Sequence, residues 1–209
     1  NHPTLTLDGQ QIIGRGDFGA GQLTLVSHAG SAIGVYGDGS VLNIETDSGG
    51  FLTEGTLNVG PGATLNLSGG PFLSLDANGY LVKGSYRVGG TLVIPGLSAT
   101  AFDSAVGLTF EGDNPRIQNE NGDTIQIRNN LPAGALTVAN GTYTCATDAG
   151  HTFTNQGYLR AAAGGTLAIT GGHFGNFDAA THTLSGGSYE SAGTFKFDGA
   201  DLQNLAAGT

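Results

Sequence analysis

The side chains with chemistry in this chain are sparse, and their spacing limits what they can do. A lyase acting on acidic polysaccharide needs a base to take a proton and cations to neutralise the substrate carboxylate. The basic residues are Lys83, Lys196 and five scattered arginines, Arg15, Arg87, Arg116, Arg128 and Arg160. A glycoside hydrolase needs two carboxyl groups held across one bond. Asp76 and Asp178 recur at equivalent places in two matching segments, as do Asp8 and Glu111. Recurrence of that kind is the behaviour of a turn residue, whereas a catalytic pair breaks a repeat. The five histidines, His2, His28, His151, His173 and His182, lack the HxH or HxxxH spacing that converges on zinc. The runs Glu111-Gly112-Asp113-Asn114-Pro115 and Asn119-Glu120-Asn121-Gly122-Asp123 have the oxygen density of a Ca²⁺ loop. They have neither the EF-hand order nor a GGxGxDxUx repeat, and Asx turns in a hydrated loop account for them.

Tyr86, Tyr143 and Tyr189 each follow Gly-Ser or Gly-Thr. Such rings could stack on sugars if exposed, or stack from coil to coil in a core. Thr-x-Thr pairs at Thr142/Thr144 and Thr152/Thr154 are too irregular for a flat threonine array, and strand preference explains them. Cys145 is the only cysteine, so no internal disulfide is possible. Its place in Thr142-Tyr143-Thr144-Cys145 is that of a small core residue. No catalytic residue, metal site or cofactor is assigned, and the chain reads as non-enzymatic.

Composition limits the partners. Seventeen acidic residues against 7 basic ones leave a net charge of −10 in 209 residues. That excludes the basic footprint of a nucleic-acid binder and disfavours anionic membrane surfaces. No apolar run reaches the roughly 18 residues of a membrane helix. Charged residues are only 11% while hydrophobic ones reach 38%, which argues against disorder. Glycine numbers 38 without an every-third-residue period, so collagen is excluded. The opening Asn1-His2-Pro3, with no Met, is the start expected of a processed chain or an excised piece.

The elements that must position these residues are short strands. Apolar-polar-apolar units recur, as in Leu5-Thr6-Leu7, Leu23-Thr24-Leu25, Leu65-Asn66-Leu67, Leu136-Thr137-Val138 and Leu167-Ala168-Ile169, each followed by Gly, Asn, Asp or Ser. Alternation over so few residues predicts short strands with one buried face, spaced too closely for intervening helices. The chain is all-β, and a sandwich, a barrel or a solenoid would each satisfy this pattern.

Internal repetition decides among them. Residues 55–96 match residues 157–199 with a one-residue insertion near Thr183. Gly69-Gly70 aligns with Gly171-Gly172, Phe72 with Phe174, and Gly84-Ser85-Tyr86 with Gly187-Ser188-Tyr189. An offset of about a hundred residues makes one long repeat of several coils, the block duplication open to a solenoid. The chain ends complete one another as a permuted repeat: Leu5-Thr6-Leu7-Asp8-Gly9 aligns with Leu108-Thr109-Phe110-Glu111-Gly112. Either a longer array has been cut, or subunits stack head to tail. The expectation is a single parallel β-helix over residues 1–209, of roughly seven to nine coils and about 35–45 Å in length. Its turns need glycine for positive φ, and its uncapped ends expose strand edges that invite pairing. Leu5, Leu7, Leu202 and Leu205 are the candidate assembly residues at those ends.

Gly55-Thr56-Leu57-Asn58-Val59, Ala63-Thr64-Leu65-Asn66-Leu67-Ser68-Gly69-Gly70 and Gly84-Ser85-Tyr86-Arg87-Val88-Gly89-Gly90-Thr91-Leu92 resemble the β-solenoid stalks of bacterial exported proteins. These include autotransporter passenger domains and filamentous-haemagglutinin-like adhesins. The resemblance implies a right-handed coil, export to the cell surface, and a structural, adhesive or matrix role. No outer-membrane barrel or secretion domain accompanies the motifs. The expected function is a non-enzymatic surface fibre, filament or matrix element that self-associates end to end. The alternatives are an adhesin stalk binding surface glycans and, third, a polysaccharide-degrading enzyme. Because repulsion among acidic rods fades near the sequence pI of about 4.6, turbidity should rise as pH is lowered toward that value. Turbidity unchanged across that range would contradict this.

Overall fold

The longest strands, Gly141–Ala146 and Gly165–Thr170, have only 6 residues, so no strand forms a sheet without the coils beside it. The structure is a computed structural model that describes residues 2–97, 101–129, 131–146, 152–171, 173–197 and 204–205. Among these residues there is no helix, hence none long and apolar enough to cross a membrane. Each coil carries up to three short strands. Thr4–Leu7, Gln11–Ile13 and Gly16–Phe18 form the first, and Thr24–Ser27, Ala32–Val35 and Val41–Glu45 the second. The middle strands join in an eight-stranded sheet running from Gln11–Ile13 to Ser188–Ser191, so the described residues wind through about eight coils. At the spacing of neighbouring strands the eight span about 34 Å. A second face starts as a five-stranded sheet, Gly16–Phe18 to Arg116–Gln118, and resumes as a three-stranded one, Gly141–Ala146 to Thr194–Phe197. The third face is built of shorter pieces.

Pairing between coils is parallel and in register. One inward column of the main sheet runs Ile12, Ile33, Leu57, Tyr86, Leu108, Leu136, Leu159 and Tyr189. Every member from Ile33 to Leu159 is buried. A second runs Val35, Val59, Val88, Phe110, Val138 and Ala161. The alternation seen in the sequence is the two-residue period of these strands, with Thr, Asn and Arg pointing out between buried apolar positions. Three excursions leave the winding as antiparallel turns: Leu75 bridges Leu81, Gln118 bridges Thr124, and Phe177–Asp178 pairs with Thr183–Leu184.

The long repeat spans four coils. Thr56–Val59 and Tyr158–Ala161 lie in the same sheet four coils apart, as do Ser85–Val88 and Ser188–Ser191. The terminal match differs. Leu5 pairs with Leu25 on the third face, whereas Leu108 pairs with Tyr86 in the main sheet. In the fifth coil the strand ahead of Gly107–Phe110 is Ala101–Asp103, and that is the counterpart of Thr4–Leu7. Similar Leu-Thr units recur on more than one face, so a local match slips by one strand.

Glycine serves close approach as well as positive φ. A Cβ on Gly157 would run into the carbonyl oxygen of Gly134, and one on Gly55 into that of Ser31, although neither residue has positive φ. These glycines let successive corners nest. Beside them lies a buried polar column that sequence patterning does not reveal: Ser27, Thr53 and Ser74, then Ser104, Asn129, Asn155 and Asn176. Asn129 Nδ2 donates to Asn155 Oδ1 at 2.7 Å, and the Asn155 N–H donates to Asn176 Oδ1 at 2.6 Å. Asn176 Nδ2 donates to the carbonyls of Asn155 (2.8 Å) and Ser185 (2.6 Å). Buried amides must be satisfied, and here each coil satisfies the next. Asn155→Ala should therefore lower unfolding free energy by about 1–3 kcal/mol. The outward Thr137→Ala should stay within about 0.5 kcal/mol. Equal losses in urea unfolding would contradict the ladder's role.

Candidate functional site

In a stack of coils the distinctive surface is its end. The three strands of the first coil each pair with the second coil only, among the described residues. Their inward side chains start the apolar columns, with no described residue stacked on their other side. Leu5 is 37% exposed while its register partner Leu25 is 0%. Ile12 and Phe18 are half-buried over the buried Ile33 and Ile44. The end therefore combines three unpaired backbone edges with an apolar patch, the chemistry that another parallel coil would complete.

The candidate assembly residues divide accordingly. Leu5 lies at the open end, while Leu7 is buried opposite Ser27. Leu202 lies outside the described residues. At Leu205 only the backbone is described, paired in parallel with Leu184. Ile12 and Phe18 were missed. The alternation of Gln11-Ile12-Ile13 could have pointed to Ile12, but which member of an apolar pair faces inward depends on the coil below.

The three tyrosines are placed by packing. Tyr86 is 1% exposed within the main column, and its hydroxyl donates to the Lys83 carbonyl at 2.7 Å. Tyr143 is 6% exposed and stacks flat on Phe110, with centroids 3.9 Å apart. Burial pushes both phenols above their ordinary range. Neither ring has a face open to a sugar. Tyr189 is half-buried, set edge-on to Phe174 and Phe195, and burial raises its phenol to about 12. Cys145 is buried too, its thiol pushed up to about 12 by desolvation, which leaves it protonated at neutral pH.

The recurring acids shape turns. Asp76 accepts the N–H groups of Tyr80 and Asn78, both at 2.9 Å, and these hold its carboxyl below the usual range. Asn119 does the same for Asn121 (3.0 Å) and Asp123 (2.9 Å) in the acidic stretch. The Thr181 side chain and the N–H groups of Ala180 and Thr181 lower Asp178 similarly. Glu111 binds Arg87 at 2.7 Å, and Lys83 binds Glu54 at 3.1 Å. Lys196 is exposed four coils from Lys83, so the two lysines do not share a site. His2 contacts Asp47 and His28 contacts Glu54, while His151 lies outside the described residues. Among the described residues no three His, Cys, Asp or Glu side chains gather as metal ligands. No family model, curated protein or solved structure matches this chain.

Asp47 is also held below the ordinary carboxylate range, by the Thr24 hydroxyl, the Gly49 N–H and His2. With Asp47, Asp76 and Asp178 all depressed, the unfolded chain binds more protons than the folded one in acid. Their stabilisation is complete above the unfolded value of about 4 and is lost as pH falls through the folded values. The melting temperature should accordingly drop as pH is lowered from about 5 to about 2, and drop less in Asp76→Asn. A parent melting temperature that does not change with pH would contradict this.

Proposed function

We propose that this chain is a non-catalytic structural rod that docks coil on coil, end to end, as part of an exported bacterial surface fibre or matrix. The observation that carries the reading is the first coil, where Leu5 is exposed and Ile12 and Phe18 are half-buried at the start of a continuous apolar core, and where, among the described residues, three strands pair on one side only. A further coil would bury those side chains and satisfy the edge with parallel backbone hydrogen bonds. That coil can belong to a longer chain or to a second copy, and both make the same contact. The stalk-like repeat motifs support placement on a bacterial surface. Asp76 and Asp178 shape turns and Glu54, Asp103, Glu111 and Glu190 pair with basic residues, which supports a structural over a catalytic role.

The test is sedimentation over a range of concentrations, with negative-stain microscopy. The parent chain should form rods that lengthen with concentration. Leu5→Lys combined with Ile12→Lys should remain short with an unchanged far-ultraviolet circular dichroism spectrum. A parent that stays a single short rod at all concentrations would overturn the proposal.

A further inference from the structure

We infer that the lateral face of the early coils holds a saccharide site centred on Tyr36, for a neutral oligosaccharide. Tyr36 is 51% exposed and sits at the corner where the strand Ala32–Val35 ends. Its ring folds back over the outer face of the main sheet. A Cβ at Gly34 would fall 3.0 Å from Tyr36 Cε2, and one at Gly60 2.9 Å from Cδ1. Both glycines are buried. The ring therefore lies on a floor that only glycine supplies, with its other side toward solvent. A phenol held flat in this way presents a pre-ordered apolar face and a polar rim, the form on which the C–H face of a pyranose stacks.

The surroundings supply hydrogen-bonding groups in step with the coils. Gly34, Asn58 and Arg87 are register partners on three successive outward positions, so a carboxamide and a guanidinium continue the line from the ring. Arg87 is held by Glu111 through Nε at 2.9 Å and Nη2 at 2.7 Å, which fixes both groups. Beside this line, at the next corner of the coils, lies a groove of about 390 Å³ bounded by Pro61, Gly89, Asp113, Asn114 and Arg116. Pro61 follows Gly60 directly, so ring and groove are neighbours.

Chemistry selects the occupant. One ring bordered by amide, guanidinium and carboxylate groups offers far less apolar area than the roughly 800 Å² per partner of a stable protein interface. Arg87 and Arg116 are matched by Glu111 and Asp113, so no excess positive charge draws a uronate to this face of a chain of net charge −10. A neutral sugar chain meets neither objection and uses both the stacking face and the polar groups.

The test is calorimetric titration of the full chain with cellohexaose, mannohexaose and chitohexaose, with hexagalacturonate as the charged comparison. At least one neutral hexasaccharide should bind better than hexagalacturonate. Tyr36→Ala should weaken it about tenfold or more, while Tyr36→Phe keeps affinity within about twofold. Ring-proton resonances of Tyr36 in the unaltered chain should shift on titration, a readout independent of how any variant folds. No binding of the neutral sugars, preference for the uronate, unmoved Tyr36 resonances, or undiminished affinity in Tyr36→Ala would each overturn the inference.

Discussion

Each winding of this backbone lies one strand spacing from the next, about 4.8 Å, and every side chain must tolerate its register partner at that distance. Aliphatic and aromatic residues meet the condition by stacking, as along the column from Ile33 to Leu159. Amides meet it by bonding to one another, as Asn129, Asn155 and Asn176 do. Charges meet it when the neighbouring coil supplies the opposite sign. Arg128 is the register partner of Asp103, and Arg160 that of Glu190, and each forms a salt bridge. A like pair at that distance would repel, and this accounts for the low charge content better than any demand of a globular core.

The same condition explains what could be read from one chain. Strand alternation is local, so Leu65-Asn66-Leu67 identifies itself without its neighbours. Recurrence of Asp76 at Asp178 is also visible along the chain, and both side chains close Asx turns. The polar column is different. Ser104, Asn129 and Asn155 look like turn residues, and only the coils above and below make them interior. Tyr86 and Tyr143 could not be sorted from Tyr36 by composition either. Tyr36 is presented outward because Gly34 and Gly60 leave room beneath its ring, while the others fall on inward positions. The slip that set Leu5 against Leu108 has the same origin, because coils of unequal length carry similar units on more than one face.

The solenoid separates two kinds of surface. Along the axis, contact between coils is repetitive and made largely of backbone and apolar side chains. Across the axis, the outward positions are free to vary, and that is where a ring such as Tyr36 can be added without disturbing the core. The proposed structural role uses the first surface and the proposed saccharide site the second. Failure of one leaves the other standing.

Both the core and the outward lines of side chains depend on parallel register between successive coils, and backbone nuclear Overhauser contacts test that register most directly. In an isotope-labelled sample, Leu108 should show interstrand contacts to Tyr86 on one side and Leu136 on the other, with Leu136 in turn contacting Leu159. Contacts joining Thr56–Val59 to Thr64–Ser68 in an antiparallel hairpin pattern would contradict it.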